Sequence, residues 1–219
     1  ETVLDNLKLQ EAKDSNEIEN IVTTDDEMYQ ASIDETVASV TAKEALNYAQ
    51  AIRLGLDIVR DKGLLTTNDI QRIQKLISPN HPIRKIPGTV LKNPKTQEVV
   101  YTPPQSYLEI QRLLDNLESY INLPEFHEVD ALIKVPIIHF QFESIHPFLD
   151  GNGRTGHLLN ILYLVQQGLL DIPVLYLSSY IIKNKSDYYR LLQEVRTKGS
   201  WEEWIVWMLR GVELTAKLK

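Results

Sequence analysis

The chain has 219 residues, is 43% hydrophobic and 24% charged, and carries a formal net charge of −7. That length suits one substantial domain or a domain with an arm. An acidic chain offers no basic field to displace counterions, which argues against nucleic acid as the main partner. With no cysteine there is no disulfide, no thiolate zinc site and no cysteine nucleophile.

No N-terminal segment reads as a signal peptide, and a cytoplasmic location is expected. The most apolar stretch, "LLNILYLVQQGLLDIPVLYL", is interrupted by Asn160, Gln166, Gln167, Gly168, Asp171 and Pro173. It reads as a buried helix plus a loop, and no membrane partner is expected. The chain starts at Glu1, which reads as a processed or excerpted piece of something longer.

In chain order, "LDNLKLQEAKDSNEIENIV" is helical in composition but only weakly amphipathic, and fits either a solvated arm or a docked one. Residues 35–60 carry apolar positions at helical spacing and stop at Gly63. "TTNDIQRIQKLI" follows, with Thr or Asn available as its cap, and Pro79 and Pro82 break the pattern. Two β-branched runs, "TVL" and "EVVYT", flank the turn "KNPKTQ" and predict a hairpin, with prolines on either side that suit an isolated edge. Helices are expected again over 106–122, 129–145, 154–168, 185–199 and 201–214. The expected fold is all-α, a helical bundle with one protruding hairpin over 86–102. We divide the chain into an N-terminal arm, 1–30, and a domain over 31–219.

The stretch "HPFLDGNGRTGH", 146–157, concentrates the chemistry. Gly151, Asn152 and Gly153 directly precede a helical pattern, so backbone N–H groups and a helix N-terminus together form an anion site. Arg154 can add a charged fork to a phosphate oxygen. Asp150 would repel phosphate unless a divalent cation bridges them, and Mg²⁺ suits both. His146 is the candidate general base, and Phe148 the inward anchor of the loop. Taken singly, each of these is more often a turn, a cap or a structural histidine; their concentration in twelve positions is what points to a site. The lack of Lys-Ser/Thr excludes the common P-loop pattern.

The stretch resembles the active-site motif of Fic-domain proteins, His-x-Phe-x-Asp/Glu-Gly-Asn-Gly-Arg-x-x-Arg; His146, Phe148, Asp150, Gly151, Asn152, Gly153 and Arg154 match. The resemblance extends to "VPIIHFQFESIHPF", "GLLDIPVLYLSSYI", "YYRLLQEVR" and the hairpin with "VVYTPP", nearly the whole chain. It implies a protein adenylyltransferase that moves AMP from ATP to a Tyr, Thr or Ser hydroxyl of a target protein, the chain itself included. In that reading His146 takes the target's proton and Asp150 holds Mg²⁺. Gly151, Asn152, Gly153, Arg154, Thr155, Gly156 and His157 line the phosphates, and Tyr189, chosen over Tyr188, contacts the nucleotide. The hairpin becomes a target-docking flap, with Gly88, Thr89, Val90, Val99, Val100 and Tyr101 receiving an extended segment by main-chain pairing. The homo-oligomeric state is left open.

"SNEIEN" resembles the family's inhibitory motif, with Ser15, Glu19 and Asn20 matching. Ser15 and Glu19 share a helix face, and a glutamate over the anion site would displace the γ-phosphate or hold ATP in a pose with its α-phosphate out of line. The same residue could instead position a water for removing AMP. The family's second arginine is His157 here. A Glu19–His157 pair would make inhibition pH-dependent, weakening above the histidine's pKa. Two other readings fit the motif: a degenerate scaffold that binds nucleotide or peptide without transfer, favoured by His157, and a transferase using another phosphate donor.

Overall fold

The computed structural model describes residues 2–33, 38–93, 96–126, 128–171 and 175–217. Helix α1 spans Thr2–Ile18, α2 Asp25–Ile33, α3 Val40–Lys62 and α4 Thr67–Ile77. The strands β1, Leu91–Lys92, and β2, Val99–Tyr101, follow. Then come α5 Tyr107–Asn122, a 3-10 turn at Pro124–Phe126, α6 Ala131–Ile145, α7 Asn152–Gln166, α8 Leu177–Lys183, α9 Lys185–Lys198 and α10 Trp201–Ala216. The expected all-α bundle with one hairpin is what the described residues form.

Local chemistry sets several boundaries. The Ser39 side chain accepts the Ala42 N–H and starts α3 at Val40, later than the periodicity suggests; residues 35–37 of that expected helix lie outside the described ones. Gly63 ends α3 with φ 68, as its position predicts. Thr66 and Asp69 close α4 with a reciprocal capping box, so Thr is the cap. The periodic pattern misses α2, nine residues with three acids in its first turn, and α8, only seven residues long. Short helices held by packing carry little periodic signal. The arm boundary drawn at residue 30 falls inside α2.

Helices α6 and α7 are the centre. In α7 every residue from Arg154 to Leu164 is buried, which is why no polar face shows in its sequence. The core around them includes Tyr48, Ile52, Phe142, Phe148, Leu162, Trp204 and Met208. The Trp204 indole donates to the Pro136 carbonyl at 2.9 Å and seats α10 on α6. Helix α1 docks on α3, α7 and α8. Its inward face is largely polar, with Glu11, Asp14, Ser15 and Asn16 buried beside Ala12 and Ile18. That mixture explains the weak amphipathicity of the sequence. Among the described residues no helix is long and apolar enough to cross a membrane.

The hairpin pairs Leu91 with Tyr101 and Lys92 with Val99, with an irregularity between Leu91 and Lys92. The first strand is therefore displaced from the expected "TVL": Thr89 and Val90 lie before the ladder, where the Thr89 carbonyl is taken by Gln105 Nε2 at 2.9 Å. Pro94 and Lys95 of the expected turn lie outside the described residues.

Candidate active site

The loop between α6 and α7 carries the site. α6 ends at His146, which adopts a left-handed conformation, φ 46 and ψ 58, unusual for a residue with a Cβ. Residues 82–84 run antiparallel to 147–149: Ile83 faces Phe148, Arg84 N–H donates to Pro147 C=O at 2.8 Å, and Leu149 N–H to Pro82 C=O at 3.2 Å. Phe148 is buried, the inward anchor that the sequence leads one to expect.

Gly151 takes φ 78 and starts α7 with no side-chain cap. The first N–H bonded back into the helix is that of Thr155, to Gly151 C=O at 3.0 Å, so the amides of the preceding turn have no intrahelical acceptor. Positive helix-end dipole and free donors converge there. His146 precedes this turn and Asp150 flanks it.

Asp150 is half exposed on its side chain and accepts from Ser78 Oγ at 2.6 Å and Arg154 Nη2 at 3.1 Å, both on Oδ2. Burial alone would raise its pKa; the Ser78 hydrogen bond and the Arg154 charge outweigh that and hold it below the usual carboxylate range. The Gly151 N–H also supports the ionised form, and the half-exposed carboxylate keeps lone pairs for a cation. Among the described residues no three carboxylates, cysteines or histidines gather, so any Mg²⁺ would draw its other ligands from phosphates and water, as that ion commonly does.

His146 is partly buried, and its Nδ1 has no hydrogen-bond partner among the described residues. Burial, aided by the charges of Arg84 and Arg196, lowers its pKa to about 4. The imidazole is therefore neutral at pH 7, the form a base needs.

Several residues of the motif are occupied differently from the sequence expectation. The Asn152 side chain is spent on the loop itself, accepting the Phe148 N–H at 2.8 Å and donating to the Phe148 C=O at 2.9 Å. The Thr155 hydroxyl is spent on Gly151 C=O at 2.7 Å. At Asn152 the backbone N–H, which has no intrahelical acceptor, is then the donor still open. Arg154 is buried, with Nη1 on Glu44 Oε2 at 2.7 Å and Nη2 on Asp150. Sequence reasoning misses Glu44 because it lies 110 residues away on α3. Gly156 passes so close to α6 that a Cβ there would come within 2.6 Å of Glu143 Oε1.

His157 corrects the expected Glu19 pairing. Its ring is fully buried, its Nδ1 lies 3.1 Å from Ser15 Oγ, and it stacks on His139 at 5.5 Å between centroids. Burial and the neighbouring His139 push its pKa well below the ordinary value. It is a neutral core group at pH 7, held by the arm's serine.

Glu19 instead sits on the loop: a Cβ built at Gly153 would collide with its carboxylate. The residue is solvent-exposed, yet protein packed about the carboxylate raises its pKa against the charges of Arg154 and Lys185. Asn20, at φ 63, accepts from Lys185 Nζ at 2.9 Å. Beneath lies Glu143, buried with Oε1 unpaired; burial, reinforced by the Glu19 charge and opposed by Arg196, pushes its pKa up to about 8. Tyr188 is core, its hydroxyl 2.8 Å from His139 Nε2, whereas Tyr189 is 46% exposed.

The flap stands beside the loop. Gly88, with φ 117, donates its N–H to Gln105 Oε1 at 2.6 Å, and Val90, Val99 and Val100 are exposed. The Tyr101 hydroxyl donates to Ser144 C=O at 2.9 Å, and Arg196 lies over its ring at 4.1 Å. Gln193 Nε2 holds the Val100 carbonyl at 3.1 Å.

Two family models match the chain: the Fic/DOC family over residues 64–164, and the Fic/DOC family N-terminal over residues 1–57. A probable protein adenylyltransferase of Aquifex aeolicus is 32% identical over 94 residues, 43% of this chain and 26% of that protein. The match thus spans about a quarter of that relative's length. A Fic family protein of Desulfovibrio desulfuricans G20 superposes with a TM-score of 0.80 at 22% identity, covering 99% of this chain and 65% of that one. A Fic domain containing signaling protein of Bacteroides thetaiotaomicron gives 0.75 at 18% identity, covering 97% and 87%. At those identities the superpositions speak for the fold.

Proposed function

Because the chain belongs to the Fic/DOC family, we propose that it is an autoinhibited protein adenylyltransferase, moving AMP from ATP to a Tyr, Thr or Ser hydroxyl of a protein. The observation that carries this is the uncapped start of α7, with a neutral imidazole before it and an ionised carboxylate beside it. His146 removes the proton of the attacking hydroxyl. The amides of Asn152, Gly153 and Arg154 receive phosphate oxygens. Asp150 would hold Mg²⁺, which would supply charge neutralisation on the phosphates. Arg154 acts from behind, sharing its fork between Glu44 and Asp150. Tyr189 is the exposed ring available to the base of ATP. With little covalent work for the protein, positioning and electrostatics dominate.

Inhibition comes from Glu19, whose carboxylate occupies the space over Gly153 that a phosphate would need. Ser15 on His157 and Asn20 on Lys185 hold the arm's end in place. The target segment pairs with the exposed main chain of the flap as an added strand. Removal of AMP by a Glu19-held water uses the same placement.

A binding scaffold without transfer is the second reading. It is favoured by how many polar groups of the motif, those of Asn152, Thr155 and His157, are spent internally. Intact mass separates the two. Glu19→Gly incubated with Mg²⁺ and ATP should gain one AMP, or pass it to an added protein, and Glu19→Gly/His146→Ala should not. Tight ATP binding with no adduct on any protein in either variant would establish the scaffold.

A further inference from the structure

We propose that Arg84 is a positioning residue of this site, holding His146 in its left-handed backbone conformation and coupling it to the root of the flap. The proposal rests on the reading of His146 as the base.

Arg84 is 1% exposed, and its guanidinium goes to carbonyls alone. Nε donates to His146 C=O at 2.7 Å, and Nη2 to Ile145 C=O at 3.1 Å and to Pro104 C=O at 3.0 Å. Its own N–H donates to Pro147 C=O. Buried arginines usually meet carboxylates. Here the negative end of the α6 dipole takes that place, and the last carbonyls of the helix, which lack intrahelical partners, gain a cap from 62 residues away.

The acceptors identify what is being held. Ile145 and His146 close α6, Pro147 follows the candidate base, and Pro104 lies at the end of the flap's second arm. A positive φ at a residue with a Cβ persists only when its surroundings over-determine it. Two of the Arg84 side-chain bonds bracket His146, one on the Ile145 carbonyl before it and one on its own carbonyl. The bond to Pro104 fixes the flap root to the same group. A target seated on the flap is thereby held in register with the base that must reach its hydroxyl. The same positive charge stands beside an imidazole that works in its neutral form. Lysine cannot reproduce this, because one nitrogen cannot occupy both the Nε and Nη2 positions.

The test uses the 219-residue protein with ¹³C-labelled histidine rings, unmutated and as Arg84→Gln and Arg84→Lys. His139 and His157, buried in the core, are internal controls. The His146 ring signal should move or broaden in Arg84→Gln while the other two stay. In a Glu19→Gly background, kcat for AMP transfer should fall about 10- to 100-fold, the scale of a small misplacement of a reacting group, with KM for ATP unchanged. Arg84→Lys should recover only part of it. An unmoved His146 signal, a joint shift of all three histidines, or an unchanged kcat overturns the proposal. If the Glu19→Gly parent transfers nothing, the proposed function fails and the His146 signal alone decides the role of Arg84.

Discussion

The carboxylate of Glu19 lies so close over Gly153 that a single methyl at position 153 would claim the same space. Gly153 is in the first turn of α7, where alanine is intrinsically preferred to glycine. Gly153→Ala should therefore destabilise the protein when Glu19 is present and be neutral or stabilising in Glu19→Gly. A double-mutant cycle read by denaturant unfolding should give a coupling of about 0.5–3 kcal/mol. Additive effects would mean that Glu19 does not rest on the loop in solution.

Glu143 carries a prediction in pH. Its folded pKa, about 8, stands above its unfolded value, so the folded state holds a proton that the unfolded state releases as pH rises past 4.5. Stability is therefore lost as pH climbs from about 4.5 to about 8. Glu143→Gln removes that loss. Its advantage over the unmutated protein should be near zero at pH 4 and grow by at most roughly 1.4 kcal/mol per pH unit. Thermal midpoints across this range check it, and a constant offset would sink the idea.

His139, His146 and His157 work in the opposite direction. His139 and His146 have folded pKa values of about 4, below the unfolded 6.5, and His157 is shifted the same way. Their unfolded forms bind protons first, so stability is full above about pH 6.5 and falls as pH drops towards 4. For the same reason single-turnover transfer by Glu19→Gly should show no acid limb between pH 8 and 6. A half-maximal rate near 6.5 would show that His146 is an ordinary solvated imidazole.

Asn152→Ala tests whether that side chain braces the loop. The substitution strands the N–H and C=O of buried Phe148. Loss of roughly 1–3 kcal/mol is expected, from the midpoint of urea unfolding at unchanged slope. A loss under about 0.5 kcal/mol would point to a side chain free to serve a ligand.

Much of the fold is legible in the order of residues alone. The long helices α3, α5, α9 and α10 announce themselves by apolar spacing, α6 and α7 by long apolar runs, and Gly63 and the prolines mark ends between elements. What escapes is short or compensated. α8 has seven residues and no periodicity to read. The hairpin is visible, but its register is not: Gln105 takes the Thr89 carbonyl, so the first strand begins at Leu91. α1 reads as a solvated arm as easily as a docked one because its buried face carries Glu11, Ser15 and Asn16, and its docking depends on partners far along the chain.

The candidate loop over 146–157 is a local matter, and the order of residues is enough to find it. Glycines that permit close backbone approach, a histidine, an aspartate and an arginine fall within twelve residues, and local chemistry can be read locally. Where side chains without a local partner go is a different question, and only the packed fold answers it. Arg154 meets Glu44, Asn152 turns back to Phe148, and Ser15, not Glu19, meets His157. Packing also places Arg84 under the end of α6. Each of these pairs a polar group with whatever acceptor or donor the packed helices bring near, because leaving a buried polar group unpaired is costly and its partner's distance in sequence does not matter.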